Sequence, residues 1–144
     1  MSALTAVVVP VGEDRFAIDV QDVREVVAMP TLTPLPTAPA WISGVVNVRG
    51  EVVPLLDTAA LLGLPVDGAA PFAVVVTGHD GPAALAATAM PAVASLGADA
   101  GPSELPATHH RHRVGDDGVV VRLDVEALLT LSRGDPPTNG TARP

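Results

Sequence analysis

"GEVVPLLDTAALLGL" (residues 50–64) and "DGVVVRLDVEALLTL" (residues 117–131) match at eight of fifteen positions: two valines, four leucines, an aspartate and an alanine. The shared Asp57 and Asp124 stand 124 − 57 = 67 residues apart. The same spacing aligns Ala6-Val7-Val8-Val9 with Ala73-Val74-Val75-Val76, since 73 − 6 = 67. Two matched segments at one offset describe a chain of two related halves, about 1–66 and 67–131. Each half reads as strands that end in a short helix capped by aspartate. A repeat of two units makes a paired structure, whereas a solenoid needs at least about three. Many short strands punctuated by Gly and Pro place the chain in the mainly β class, as barrels or a sandwich.

Working outward, "TAVVVPV", the polar turn "GEDR" and the alternating "FAIDV" predict a hairpin. "QDVREVVAM" fits a short helical turn or an irregular strand. Pro30, Pro34, Pro36 and Pro39 then force an extended connection. "WISGVVNV" and "EVVPLL" are strands joined by Arg49-Gly50, with Gly50 supplying a permissive backbone. Asp57 and Gly63 read as the cap and stop of a helix over Ala59 to Leu62. Residues 97–112, "GADAGPSELPATHHRH", read as a loop, and residues 132–144 as a disordered tail without core residues.

Composition narrows the function. The 144 residues suit one domain and carry a net charge of −8 with pI near 4.7. A nucleic-acid binder needs a basic stripe to neutralise phosphates, and docking on an anionic membrane needs the same charge. Neither nucleic acid nor direct membrane insertion is therefore expected. No apolar run reaches the ~18 residues of a membrane-spanning helix. The opening "MSALTAVVVPVGEDRF" has neither the basic start nor the long apolar core of a signal peptide, so a cytoplasmic chain is expected. With 0 cysteines, disulfide and thiolate chemistry are excluded. Aromatic residues make up 2%, so Val, Leu, Ile and Ala must build the core.

Chemical motifs were weighed against plainer explanations. His109-His110-Arg111-His112 has metal-ligating side chains, but they are nearly contiguous and no second cluster completes a zinc set. Asp57 and Asp124 are equivalent positions ahead of their helices, so capping explains both. Ser43 lacks a Gly-x-Ser-x-Gly setting, and "GVVNVRG" lacks the lysine of a phosphate loop. No catalytic residue, metal or cofactor is assigned. Arg49 remains: a single cation among valines, read either as a solvated strand-end charge or as a protein contact. It maps to Asp116 in the second half, a reversed charge, since 49 + 67 = 116.

"PAWISGVVNVRGEVVPLLDTAALLGL" resembles the signature of the CheW-like family of chemotaxis coupling proteins. "FAIDVQDVREVV" and "DGVVVRLDVEALL" are similar to its flanking elements, and the resemblance covers most of residues 4–131. It implies two SH3-like five-stranded β-barrels sharing a hydrophobic core, with short helices including one near the C-terminus. It implies a single CheW-like domain over residues 1–131 that is not an enzyme. The implied function is a cytoplasmic adaptor between the chemoreceptor cytoplasmic tip and the regulatory domain of a CheA-type histidine kinase. The alternative is a divergent scaffold or decoy regulator in a non-chemotactic complex. Receptors would be contacted near the groove between barrels. The partner-binding residues carried over are Arg49, Asn47 and Gly50, with Val23 and Val27. The sequence departs from the family at "ALAATAM" (84–90), with Ala84 for Gly, Thr88 for Asp and Met90 for Val. The glycine that usually opens the penultimate strand is absent from "HHRHRV". Less side chain to pack is expected to weaken the second barrel.

Overall fold

The structure is a computed structural model that describes residues 4–65 and 69–134. Twelve strands and two helices follow in order: β1 (Leu4–Val11), β2 (Asp14–Asp19), β3 (Val23–Ala28), β4 (Leu32–Thr33), β5 (Ile42–Val48), β6 (Glu51–Leu56), α1 (Thr58–Leu62), β7 (Phe72–Gly78), β8 (Gly81–Ala87), β9 (Ala92–Leu96), β10 (Asp99–Gly101), β11 (Thr108–Val114), β12 (Gly118–Leu123) and α2 (Val125–Arg133). The chain is mainly β, as the sequence predicts. The offset of 67 carries every strand of the first half onto one of the second: β1 onto β7, through to β6 onto β12, and α1 onto α2.

The strands form two six-stranded sheets, which count the short edge strands β4 and β10. One runs β10-β11-β12-β2-β1-β9 and the other β4-β5-β6-β8-β7-β3. Replacing each strand by its mate at the offset turns one order into the other. The sheets are nevertheless not the sequence halves. β1 and β2 leave the first half to join β9–β12, and β7 and β8 leave the second half to join β3–β6. The exchange is made through two parallel contacts, β6 with β8 and β12 with β2. One consequence bears on the expectation of a weak second barrel. The alanine-rich β8 lies in the same sheet as the Arg49 hairpin, not with the second half's late strands.

Each strand of the central pairs is buried on both faces. Val7, Val9, Phe16 and Ile18 meet Val74, Val76 and Leu85 in a core shared by both sheets and both helices. The intervening Ala6, Val8 and Ala17 pack inside the curl of the first sheet with Val120. Ala73, Val75 and Ala84 do the same inside the second, with Val46, Val48 and Val53. Hence Ala17, which alternation places on a second face, is as buried as Phe16 and Ile18. Ala84 is the counterpart of Ala17, since 17 + 67 = 84, and both fill the narrow interior where a larger side chain would overpack.

The two curls close differently. In the first sheet the Gly97 amide donates to Arg113 O (2.7 Å), and the Arg113 amide donates to Ala98 O (2.9 Å). In the second sheet Pro30 stands where Gly97 would map (97 − 67 = 30), and proline has no N–H to give. Side-chain ion pairs run from β3 to the β5–β6 hairpin across this second curl.

Two local expectations are corrected. Residues 97–112 are only in part a loop, over 102–107: β10 and most of β11, including His109 to His112, are strand. β11 is exposed along much of its length, so its strand character comes from backbone pairing with β12 and leaves no hydrophobic alternation to read. The glycine missing from β11 is supplied across the ladder. Arg111 stands at the position equivalent to Gly44 (44 + 67 = 111) and faces Gly101 at a bulge. Ser132 and Arg133 belong to α2 instead of the tail, because the Trp41 indole N–H donates to Ser132 O (2.9 Å) and holds the last turn. Residues 135–144 of that tail lie outside the described residues. "QDVREVVAM" resolves into a 3-10 turn at Val20–Asp22 followed by β3, with a register shift between Val23 and Glu25.

Candidate functional site

Asp57 and Asp124 cap their helices as predicted: Asp57 Oδ1 accepts from the Ala60 amide (3.1 Å) and Asp124 Oδ1 from the Ala127 amide (3.0 Å). Neither is a catalytic acid in search of a role. Among the described residues no group of three or more His, Cys, Asp or Glu is placed to hold a metal ion. No helix among them is long and apolar enough to cross a membrane.

The hairpin between β5 and β6 is where Asn47, Arg49 and Gly50 come together. Val48 pairs with Glu51, so the loop is the two residues Arg49 and Gly50. Both have positive φ, 52° and 85°, the geometry that lets a two-residue turn follow the twist of its strands. Gly50 suits it; arginine does not, because its Cβ crowds the carbonyl in the left-handed region at about 1–2 kcal/mol. Asn47 Oδ1 accepts from the Gly50 amide (2.9 Å) and braces the turn from below. Asn or Gly would meet this geometry with less strain than arginine, and strain of this kind collects at functional positions.

The guanidinium has an internal partner. Arg49 Nε donates to Glu25 Oε1 (2.8 Å), with Arg49 77% exposed and Glu25 only 17%. Beside it Arg24 Nη2 donates to Glu51 Oε1 (2.7 Å). Exposed pairs like these contribute about 0–1 kcal/mol each, so stability does not explain their presence. The second half has no copy: Arg24 and Glu25 map to Pro91 and Ala92, and Arg49 to Asp116. Val23 and Val27 do not point outward with Arg49. They are half-buried and pack on the core, and the outward residues of β3 are Arg24, Val26 and Ala28. Val26 and Val52, exposed by 38% and 64%, flank the charged residues and are candidate contacts that the sequence reading did not single out. Period-two alternation from the buried Val53 would have marked Val52 as outward. The bulge after Val23 hid the facing of β3.

A second feature needs the fold to exist at all. A groove of about 460 Å³ opens where the sheets meet, lined mainly by Val11, Leu32, Ser43, Leu55, Ala86 and Thr88. Its polar side chains are largely committed inward, with Thr58 Oγ1 donating to Ala86 O (2.9 Å) at its base. The lining comes from five strands and the start of α1, so no linear motif describes it.

On the pseudo-equivalent face, Leu55 and Ala86 are replaced by Arg122 and Asp19, since 55 + 67 = 122 and 86 − 67 = 19. These make a two-point ion pair: Nε to Oδ1 at 2.8 Å and Nη2 to Oδ2 at 2.7 Å. The Arg122 hydrogen bonds hold the Asp19 carboxyl below its ordinary value and push the guanidinium up. Nearby Asp22 is raised, first by burial and then by the charges of Asp19 and Glu126. A depressed Asp19 stabilises the fold above its unfolded value near 3.8, and that contribution is lost as pH falls through the folded value. Asp19→Asn is therefore expected to cost about 2 kcal/mol at neutral pH, the scale of a charge-assisted pair in a half-buried setting. The gap from wild type should close in acid, once pH falls well below 3.8 and through the depressed folded value. Urea midpoints at both pH values check this, and a gap that persists in acid would assign the loss to packing.

Against known proteins, the family model described as CheW-like domain matches residues 5–133. Over 54 residues the chain is 43% identical to the chemotaxis protein CheW of Rhizobium meliloti, covering 38% of this chain and 35% of that protein. Over 67 residues it is 37% identical to a probable chemotaxis protein CheW of Rhizobium etli, covering 46% of this chain and 43% of that protein. The matched segments thus span less than half of those relatives. Among solved structures, the scaffolding protein TtCheW of Thermoanaerobacter tengcongensis superposes with a TM-score of 0.74, covering 88% of this chain and 92% of that one. At 21% identity, that likeness speaks for the fold.

Proposed function

The chain belongs to the CheW-like domain family, and from that premise we propose that it is a non-catalytic, cytoplasmic chemotaxis adaptor coupling the chemoreceptor cytoplasmic tip to a CheA-type histidine kinase. The observation that carries this reading is an asymmetry. The offset of 67 reproduces the strands, caps and alanine-lined interiors in both halves, but the strained Arg49 turn and its ion pairs occur in one half only. A structural need of the scaffold would be met twice.

In this reading the kinase regulatory domain packs on the surface of β3, β5 and β6, with Val26 and Val52 as apolar contacts and Arg49 offering its fork to a partner carboxylate. The apolar groove suits the apolar face of a receptor helix. The decoy alternative has less support, since both relatives described above carry chemotaxis names. Mixing the chain with a cognate kinase regulatory domain and with a receptor tip fragment should give association on the order of tens of micromolar or tighter. Absence of both complexes in analytical ultracentrifugation would remove the adaptor reading.

A further inference from the structure

We infer that Thr88 is a positioning residue for the groove, strapping one sheet to the other at the groove's wall. Thr88 follows β8 of one sheet and meets the β1–β2 turn of the other. Its amide donates to Pro10 O (2.9 Å). Its hydroxyl accepts from the Gly12 amide (2.9 Å) and donates to Pro10 O (3.3 Å). These three bonds bracket Val11, which lines the groove together with Ala86 and Thr88 itself. A hydroxyl is the group that can accept from one backbone atom and donate to another within such a span. A carboxylate at this position could accept from Gly12 but would face the Pro10 carbonyl without a proton to give.

The strap is not part of the repeated scaffold. Thr88 maps to Gln21 (88 − 67 = 21), and Gly12 maps to His79 (12 + 67 = 79). There the His79 amide donates to Glu126 Oε2 (2.8 Å), a carboxylate from α2, and not to Gln21. The fold therefore satisfies that turn amide in two ways, and only the groove side uses a side chain that also lines the cavity. Valine at 88 keeps the β-branched volume and removes both hydroxyl bonds, so the turn and β8 are held by one backbone bond. The inference rests on reading the groove as the receptor contact: a groove whose walls drift binds a helix less tightly because the walls must be ordered on binding.

The chain has 0 cysteines, so nitroxide labels placed at Glu13 and Leu32 report the distance between the turn beside Val11 and β4 across the groove. Thr88→Val is expected to broaden that distance distribution and to speed exchange of the Gly12 amide by about tenfold, the scale of one lost hydrogen bond. It should weaken binding of a receptor tip fragment by about tenfold, with Thr88→Ser within about twofold of wild type on all three measures. Thr88→Ala takes the place of valine if valine prevents folding. A wild-type distance and exchange rate in the valine or alanine variant overturns the strap. So does a serine variant that fails to restore them. Wild-type receptor binding in a variant whose distance has changed overturns the positioning role. A wild-type chain that binds no receptor fragment strikes the adaptor reading instead, and the distance and exchange measurements still decide the strap.

Discussion

Gly44→Ala should unfold more easily than wild type by about 3 kcal/mol or more, the sum of an unfavourable backbone and a steric clash. Gly44 sits at a register shift in β5 with φ of 150°, in the region that favours glycine. A Cβ there would meet Thr33 O at 2.3 Å, Leu32 Cδ1 at 2.9 Å and Pro34 Cα at 3.0 Å. Two of the three are backbone atoms, so rotating a side chain does not relieve the contact. β4 cannot retreat freely either, because Thr33 pairs with Val45 and Leu32 with Val46. The groove shares Leu32, so the damage should reach it. Urea unfolding followed through the single tryptophan, Trp41, reads the loss directly. A loss under about 1 kcal/mol would mean that β4 moves aside at little cost.

Arg49→Glu should leave the fold nearly intact and weaken partner association by about a hundredfold. The substitution brings a third carboxylate up to Glu25 and Glu51 at a tip that is already exposed. Screening by solvent limits the folding cost to about 1 kcal/mol. A partner carboxylate that met a guanidinium would now meet like charge. Arg49→Gly separates the two roles. It relieves the φ of 52° and is expected to stabilise the chain by about 0.5–1 kcal/mol while losing the same partner contact. Titration calorimetry of all three proteins against the kinase regulatory domain, with urea unfolding alongside, gives both numbers. Equal affinities across the series would return Arg49 to ordinary surface charge.

Much of the Arg49 site was legible in advance. Asn47, Arg49 and Gly50 lie within four residues, and a two-residue Gly-containing loop between valine-rich strands specifies the hairpin that joins them. Glu25 could not be paired with Arg49 from the sequence, because it arrives from β3 at the far edge of the sheet. Val23 and Val27 entered as partner-binding residues through the family resemblance, and the register shift after Val23 hid from the sequence that both pack on the core. The family resemblance implied a groove but not its lining, since Val11, Ser43 and Thr88 share neither segment nor pattern.

The sequence alone determines the repeat, many of the strands, the two aspartate caps and the turn at Arg49. All of these are local or periodic, written in residues within a few positions of one another. Tertiary structure decides which strands share a sheet. The offset of 67 is the same whether each half folds on itself or trades its first two strands with the other, so sequence periodicity cannot distinguish the two. What distinguishes them is three-dimensional packing: two narrow alanine-lined interiors and one shared core, filled together only when β2 lies beside β12 and β8 beside β6.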